Sequence, residues 1–402
     1  MKLDYIKINC FIVSLFLMTF VSSSNSSAKD SNVISKEKIV LGGGPSGGTF
    51  QTVANAISSS KPIKDATDFK VQVQSSEGSI ENIKKVDLAS FQMAIVYAGD
   101  LWRGINGKID SYTQDSSSVN SSSATNLSSS NFSASSNLAN SPTTYKKVMA
   151  VASLYTASAQ LVVHAGLETK SDNTAINANS TKNEVIKSVK ELEGKRVGVG
   201  NSGSGSYSSC ELFFTHLGLW DKIERRAIGY NDAARAFKNN ELDAFWVFSA
   251  LPCPAVAMVA GDKNKDFEHN KGFENNGSEI NSSNNSKGLI EIVNLGDDAY
   301  KSGFLKEFPW FATTMIKGGT YNGVDKGTLS FQDYAILVAN SDLSSDVVYQ
   351  MLSIIYTDDA LNQLSQQNTN LKEMSFETGI IGIITPLHSG AERFWKEKGI
   401  IK

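Results

Sequence analysis

Histidine and cysteine are scarce in this chain. Four histidines, His164, His216, His269 and His388, are scattered with no C-x-x-C or H-E-x-x-H spacing, so no metal site is expected. Of the three cysteines, Cys10 lies in the N-terminal segment, which leaves only Cys210 and Cys253 for the body of the protein. That is too few for a disulfide scaffold, and the two can be read as a disulfide or as two buried thiols. Cationic excess is missing as well. Thirty-eight Lys and Arg against 41 Asp and Glu give a formal charge of -3. No basic stripe is present, which argues against nucleic acid or an acidic membrane surface as the main partner. Beyond the first 28 residues no apolar run is long enough to span a bilayer.

What is present begins with an export signal. Lys2 and Lys7 flank a polar start, an apolar run follows from Cys10 to Val21, and Ser26 and Ala28 form a small-residue cleavage pair. Cys10 sits inside the apolar run, where it cannot serve as a lipidation site at the cleavage point. The expected signal spans 1–28 and the expected location is the periplasm, with an uncleaved membrane anchor as the alternative reading of the same segment.

The remainder alternates between strand and helix patterns. Short strands are expected at 38–41, 69–73 and 93–97. Phe50, Val53, Ala54 and Ile57 share a helical face, as do Ile80, Ile83 and Val86. This β-α-β-α-β order predicts a parallel sheet covered by helices. Ser, Asn, Ala and Thr then dominate 110–142, and 171–184 and 262–288 are similar. Such tracts bury too little apolar surface to offset their ordering entropy and are expected as disordered insertions. Strands are expected again at 161–163, 196–199, 244–248, 290–293 and 334–338, and helices at 206–217, 231–239, 344–356, 358–366 and 389–398. A strand, a glycine turn and a helix occur twice, at 38–58 and 195–217, which suggests two lobes.

Each of those turns is a candidate site. Gly42-Gly-Gly-Pro-Ser-Gly-Gly-Thr-Phe50 opens a helix, whose first N–H groups and partial positive charge suit an anion. Gly42, Gly44 and Gly47 match the dinucleotide spacing, with Glu77 as the later acid. Gly44-Pro-Ser-Gly-Gly48 matches a nucleophile elbow around Ser46, although none of the histidines has a triad context. The P-loop pattern fails because no Lys precedes Thr49, and a purely structural turn is a further reading. Gly200-Asn-Ser-Gly-Ser-Gly-Ser-Tyr207 repeats the arrangement with three hydroxyls. Together the two turns can face one guest across a cleft. Ser75-Ser-Glu-Gly-Ser79 and Asn82 follow the second strand, where ligands of open parallel sheets bind, or else form a solvated turn. Phe245 or Phe248 can line a site or pack in the core. His388, close to a helix start, suits structural hydrogen bonding.

Several stretches taken in order resemble one family. They are LGGGPSGGTFQTVANAIS, QSSEGSIENIKKV, LASFQMAIVYAGD, ELEGKRVGVGNSGSGSYSSCELFF, NNELDAFWVFSALPCPAV, IKGGTYNG and TPLHSGAERFWKEKG. Their run from about residue 38 to the C-terminus resembles the TAXI-type solute receptors of tripartite ATP-independent periplasmic (TRAP) transporters. The resemblance implies an α/β, type II periplasmic-binding-protein fold, with two lobes of mainly parallel sheet joined by a hinge. It implies lobe I at 36–160 plus 335–402 and lobe II at 161–334. It also implies a small organic anion, such as glutamate or a dicarboxylate, delivered to TRAP permease subunits in the membrane, with no cofactor and no catalysis. By position, Gly48, Thr49, Phe50, Ser75, Ser79, Asn82 and Tyr97 would bind from one lobe, and Ser204, Gly205 and Ser206 from the other. Tyr is common in the family where Phe50 stands, Gln where Tyr97 stands and Thr where Ser206 stands, so ligand identity is the least determined part of the reading.

Overall fold

The computed structural model describes residues 37–66, 68–109, 143–166, 186–261 and 290–402. The expected export signal and the three Ser/Asn-rich insertions lie outside the described residues. The first alternating run is β1 (Glu37–Gly42), α1 (Thr49–Ser59), α2 (Lys61–Asp65), β2 (Phe69–Gln74), α3 (Ser79–Asp87), β3 (Met93–Tyr97) and α4 (Ala98–Ile105). A long strand, β4 (Val148–His164), leads to a second run: β5 (Arg196–Gly198), α5 (Gly205–His216), β6 (Glu224–Arg226), α6 (Tyr230–Lys238), β7 (Ala244–Ser249) and α7 (Pro254–Ala260). The chain returns through β8 (Ile290–Ile292), α8 (Gly296–Lys301), α9 (Phe304–Glu307) and β9 (Ala312–Ile316) to β10 (Thr328–Asn340). It closes with α10 (Ser345–Ile355), α11 (Asp358–Gln367) and α12 (Ser389–Glu397).

The strands form one sheet in the order β2-β1-β3-β10-β4-β7-β5-β6, with β8 added to β4 and β9 to β10. β1 pairs in parallel with β2 and β3, and β5 with β6 and β7, because a helix connects each of these strands to the next. All five residues of β3 are buried, as expected for a strand covered on both faces. Helix α1 turns Phe50, Val53, Ala54 and Ile57 inward, the face read from their spacing.

Between the two parallel triplets run β4 and β10, antiparallel to each other and to their neighbours. The first half of β4 pairs with β10, and from Ser158 onward it pairs with β7. β10 likewise pairs with β9 over Thr328–Gln332 and with β3 over Ala335–Ala339. The lobe boundaries expected at 160/161 and 334/335 therefore fall inside two continuous strands.

Side chains anchor the ends of this frame. Phe331 lies among the rings of Phe213, Trp246, Phe304 and Phe311. Trp395 of α12 is fully buried and donates its indole N–H to the Val151 carbonyl at 2.9 Å. His388 accepts the Gly390 N–H through Nδ1 and bonds the Leu343 carbonyl through Nε2, so it caps α12. Cys210 and Cys253 are buried free thiols.

Asp333 sits where β4 and β10 cross, paired in register with Ala157. Its carboxyl accepts N–H bonds from Gly99, in the first turn of α4, at 2.9 Å and from Tyr334 at 2.7 Å. Burial, against those two hydrogen bonds, pushes its pKa from 3.8 up to about 8. The folded state thus holds this proton more tightly than the unfolded chain. The stabilising contribution is complete below about pH 3.8 and is lost as pH rises to about 8. Denaturant midpoints measured from pH 4 to 8 should fall less steeply for Asp333→Asn than for the unaltered protein. Equal slopes would contradict this assignment.

Candidate functional site

Helices α1, α3, α5 and α6 all begin at one cavity of about 40 Å³, several times the roughly 10–15 Å³ that a single water needs. Gly48, Thr49 and Phe50 reach it from the start of α1, Ser79 from α3, and Tyr97 from the end of β3. Ser204, Gly205 and Ser206 reach it from the start of α5. Eight of the ten residues expected from sequence are thus brought together around one space.

Ser75 and Asn82 are the exceptions and require correction. Ser75 is exposed while its neighbour Ser76 turns in and donates to the Gly43 carbonyl, since successive residues of an extended segment face opposite ways. Asn82 is fully buried, and its amide donates to the carbonyls of Gly43 and Ile95 at 2.7 and 2.8 Å. It braces the ends of β1 and β3 and does not line the cavity. Phe245 and Phe248 are buried in the core, and Phe248 backs the wall, with its ring edge-on to Tyr97 at 4.9 Å between centroids and its carbonyl accepting from Tyr97 and Tyr230.

Pro45, Glu77, Gly78 and Asn201, members of the turns already singled out, complete the wall together with Tyr230 and Ser249. Those last two were missed. Ser249 ends a parallel strand and Tyr230 opens a helix after a glycine, so the rule used for the other turns pointed to both positions.

The local conformations follow from the residues. Gly78 has φ 128°, which a side chain rarely adopts, and so turns β2 sharply into α3. A Cβ on Gly205 would stand 2.2 Å from the Tyr97 ring. The missing side chain lets α5 start directly against that ring. Ser204 caps α5 by accepting the Tyr207 N–H, whereas Gly48 leaves α1 without a side-chain cap. The first N–H groups of a helix have no intrahelical acceptor, and here those of Thr49, Phe50, Gly205 and Ser206 belong to residues on the wall.

Polar contacts tie the two parallel triplets together across this space. Thr49 Oγ1 and Ser249 Oγ are 2.9 Å apart. Tyr97 donates its hydroxyl to the Phe248 carbonyl at 2.7 Å, and Tyr230 donates to the same oxygen at 2.6 Å. Ser206 Oγ accepts the Phe248 N–H and is in short contact with the Tyr230 hydroxyl. Asn201 donates to Glu77 Oε2 at 2.6 Å, and the Glu81 N–H donates to the Gly203 carbonyl. Burial pushes the Tyr97 and Tyr230 phenols upward, so both remain protonated donors. Behind the wall, burial raises Asp100, while Arg103 and the hydroxyls of Ser208 and Ser79 oppose that rise.

The wall offers hydroxyls, backbone N–H groups and one carboxylate. Among the described residues no group of three His, Cys, Asp or Glu is placed to hold a metal. Ser46 is exposed and does not line the cavity. His164 stacks on Phe237, His216 bonds Glu307, and His388 caps α12.

A model of the NMT1-like family matches residues 113–399. The chain belongs to the NMT1-like family. Solved structures similar to this NMT1-like chain include the periplasmic aliphatic sulphonate binding protein SsuA from Escherichia coli. That match has 12% identity, 90% of this chain and 79% of that one covered, and a TM-score of 0.40. A binding component of an ABC phosphonate transporter from Pseudomonas aeruginosa matches at 8% identity, with 84% and 79% covered and a TM-score of 0.41. A TctC solute binding protein from Polaromonas matches at 13% identity, with 83% and 88% covered and a TM-score of 0.37.

The tight approach of Gly205 to Tyr97 gives a direct test. Gly205→Ala in this NMT1-like protein should push the Tyr97 ring aside, break its bond to Phe248 and cost about 1–3 kcal/mol of stability. Chemical denaturation that finds no loss would contradict the packing described.

Proposed function

We propose that this NMT1-like protein is an exported solute receptor of the TAXI kind, which captures a small carboxylate and hands it to TRAP permease subunits. The single observation that carries the reading is the cavity where four helices begin, with hydroxyls supplied from both parallel triplets. Helix N-termini favour a negative guest through their partial charge and their unpaired N–H groups. Among the described residues no general base is hydrogen-bonded to a nucleophile there, which favours holding a guest over turning it over. The resemblance read from the sequence adds glutamate-like amino acids and dicarboxylates as the first guests to try, and the export signal expected at 1–28 adds a periplasmic location.

In this reading, 36–160 plus 335–402 and 161–334 act as two lobes, and β4 and β10 serve as the hinge between them. A guest can shift the balance between open and closed forms only by binding one of them better. A carboxylate held between the starts of α1 and α5 meets both sets of donors only when the lobes are closed. The cross-cavity bonds, such as Tyr97 to Phe248, already favour that form, so the guest need supply only part of the closing energy.

Isothermal titration with amino acids and dicarboxylates tests this reading directly. At least one should bind at one-to-one stoichiometry with a Kd in the micromolar range, about -8 kcal/mol. Thr49→Val, which removes one wall hydroxyl, should weaken that guest roughly tenfold, the worth of about one hydrogen bond. No heat from any member of the panel would remove the receptor reading.

A further inference from the structure

The charges around the cavity narrow the class of guest beyond a small carboxylate. Among the described residues Glu77 is the one carboxylate on the wall, and no Lys, Arg or His lines it. Arg103 is already committed: it donates to Ser208 and to the Lys108 carbonyl and faces Asp100. One carboxylate of a guest can be met by the N–H groups at the starts of α1 and α5. A second carboxylate would have no cation to meet and would share the space with Glu77, an arrangement in which like charges disfavour each other.

Among the described residues Glu77 has a hydrogen-bond partner on only part of its carboxylate. Asn201 donates to Oε2 from the opposite rim and fixes the group at the wall. A carboxylate has about four acceptor positions, so capacity remains for an ammonium group. Besides its hydroxyls the wall has an aromatic stretch. The Phe50 and Tyr97 rings stand with centroids 4.8 Å apart, and the Tyr97 hydroxyl is turned away to Phe248. A short, uncharged side chain suits that surface and the cavity volume of about 40 Å³.

Resting on the receptor reading above, we infer that the guest is a small α-amino acid with an uncharged side chain. Its carboxylate lies at the starts of α1 and α5 and its ammonium lies at Glu77. Glu77 is then the residue that separates amino acids from dicarboxylates.

The test is calorimetric titration of the full chain with glycine, L-alanine, L-serine, L-glutamate and succinate, repeated on Glu77→Gln. Glu77 is exposed, and a melting curve of the ligand-free variant checks that it is folded. One of the three neutral amino acids should bind at least tenfold more tightly than glutamate or succinate. Glu77→Gln should weaken that amino acid at least tenfold and narrow the gap to succinate. Tighter binding of succinate or glutamate by the unaltered protein would overturn the inference while leaving the receptor reading in place. Unchanged affinity in a folded Glu77→Gln would overturn the role of Glu77. Heat from no member of the panel would overturn the receptor reading and this inference with it.

Discussion

An N–H group at the start of a helix has no partner within that helix, and a buried one must find a partner elsewhere. Here the starts of α1, α3, α5 and α6 are gathered at one cavity and not spread over the surface. Much of the surrounding detail follows from that arrangement. Ser204 satisfies one donor of α5, and glycines stand where the backbone must come close to a ring or turn sharply. Tyr97 and Tyr230 spend their hydroxyls on one carbonyl, that of Phe248, and so fix the wall without occupying the helix starts. The N–H groups at Thr49, Phe50, Gly205 and Ser206 are left as the chemical content of the site.

The central pair of strands lets two parallel triplets present their helix starts to the same space. β4 and β10 run antiparallel through the middle of the sheet and exchange partners near Ser158 and Gln332. Register shifts in their pairing, between Ala335 and Ile336 and between Leu337 and Val338, bend the ladder close to the crossing. Asp333 lies at this point and holds the first turn of α4, which directly follows Tyr97 of the wall. The crossing and the cavity are therefore joined through a few residues of backbone, and a change in one reaches the other by a short path.

Much of this was legible in the sequence because the relevant signals are local. A strand, a glycine-rich turn and an apolar helical face give the same reading at 38–58 and 195–217, and the structure has both units. The turns followed from that signal, and the individual wall residues in them from the family resemblance by position. What could not be read depends on distant contacts. β4 was anticipated only at 161–163, because Val148–Gln160 mixes small and polar residues without a period of two, and its burial comes from neighbours on both faces. β9 has mostly exposed residues and exists through its pairing with β10. Asn82 was placed at the cavity because it follows the second strand among the polar residues there and matches the family by position. Its actual role depends on where the Gly43 and Ile95 carbonyls lie, which only the folded sheet determines.

The central claim is that two glycine–serine turns, far apart in sequence, grip one carboxylate with their helix starts. A crystal structure of the protein saturated with its best-binding amino acid tests it most directly. The account predicts the carboxylate oxygens at about 2.7–3.2 Å from N–H groups of the first turns of both α1 and α5. A guest seated with its carboxylate against only one of those helices, or bound outside the cavity altogether, would contradict it.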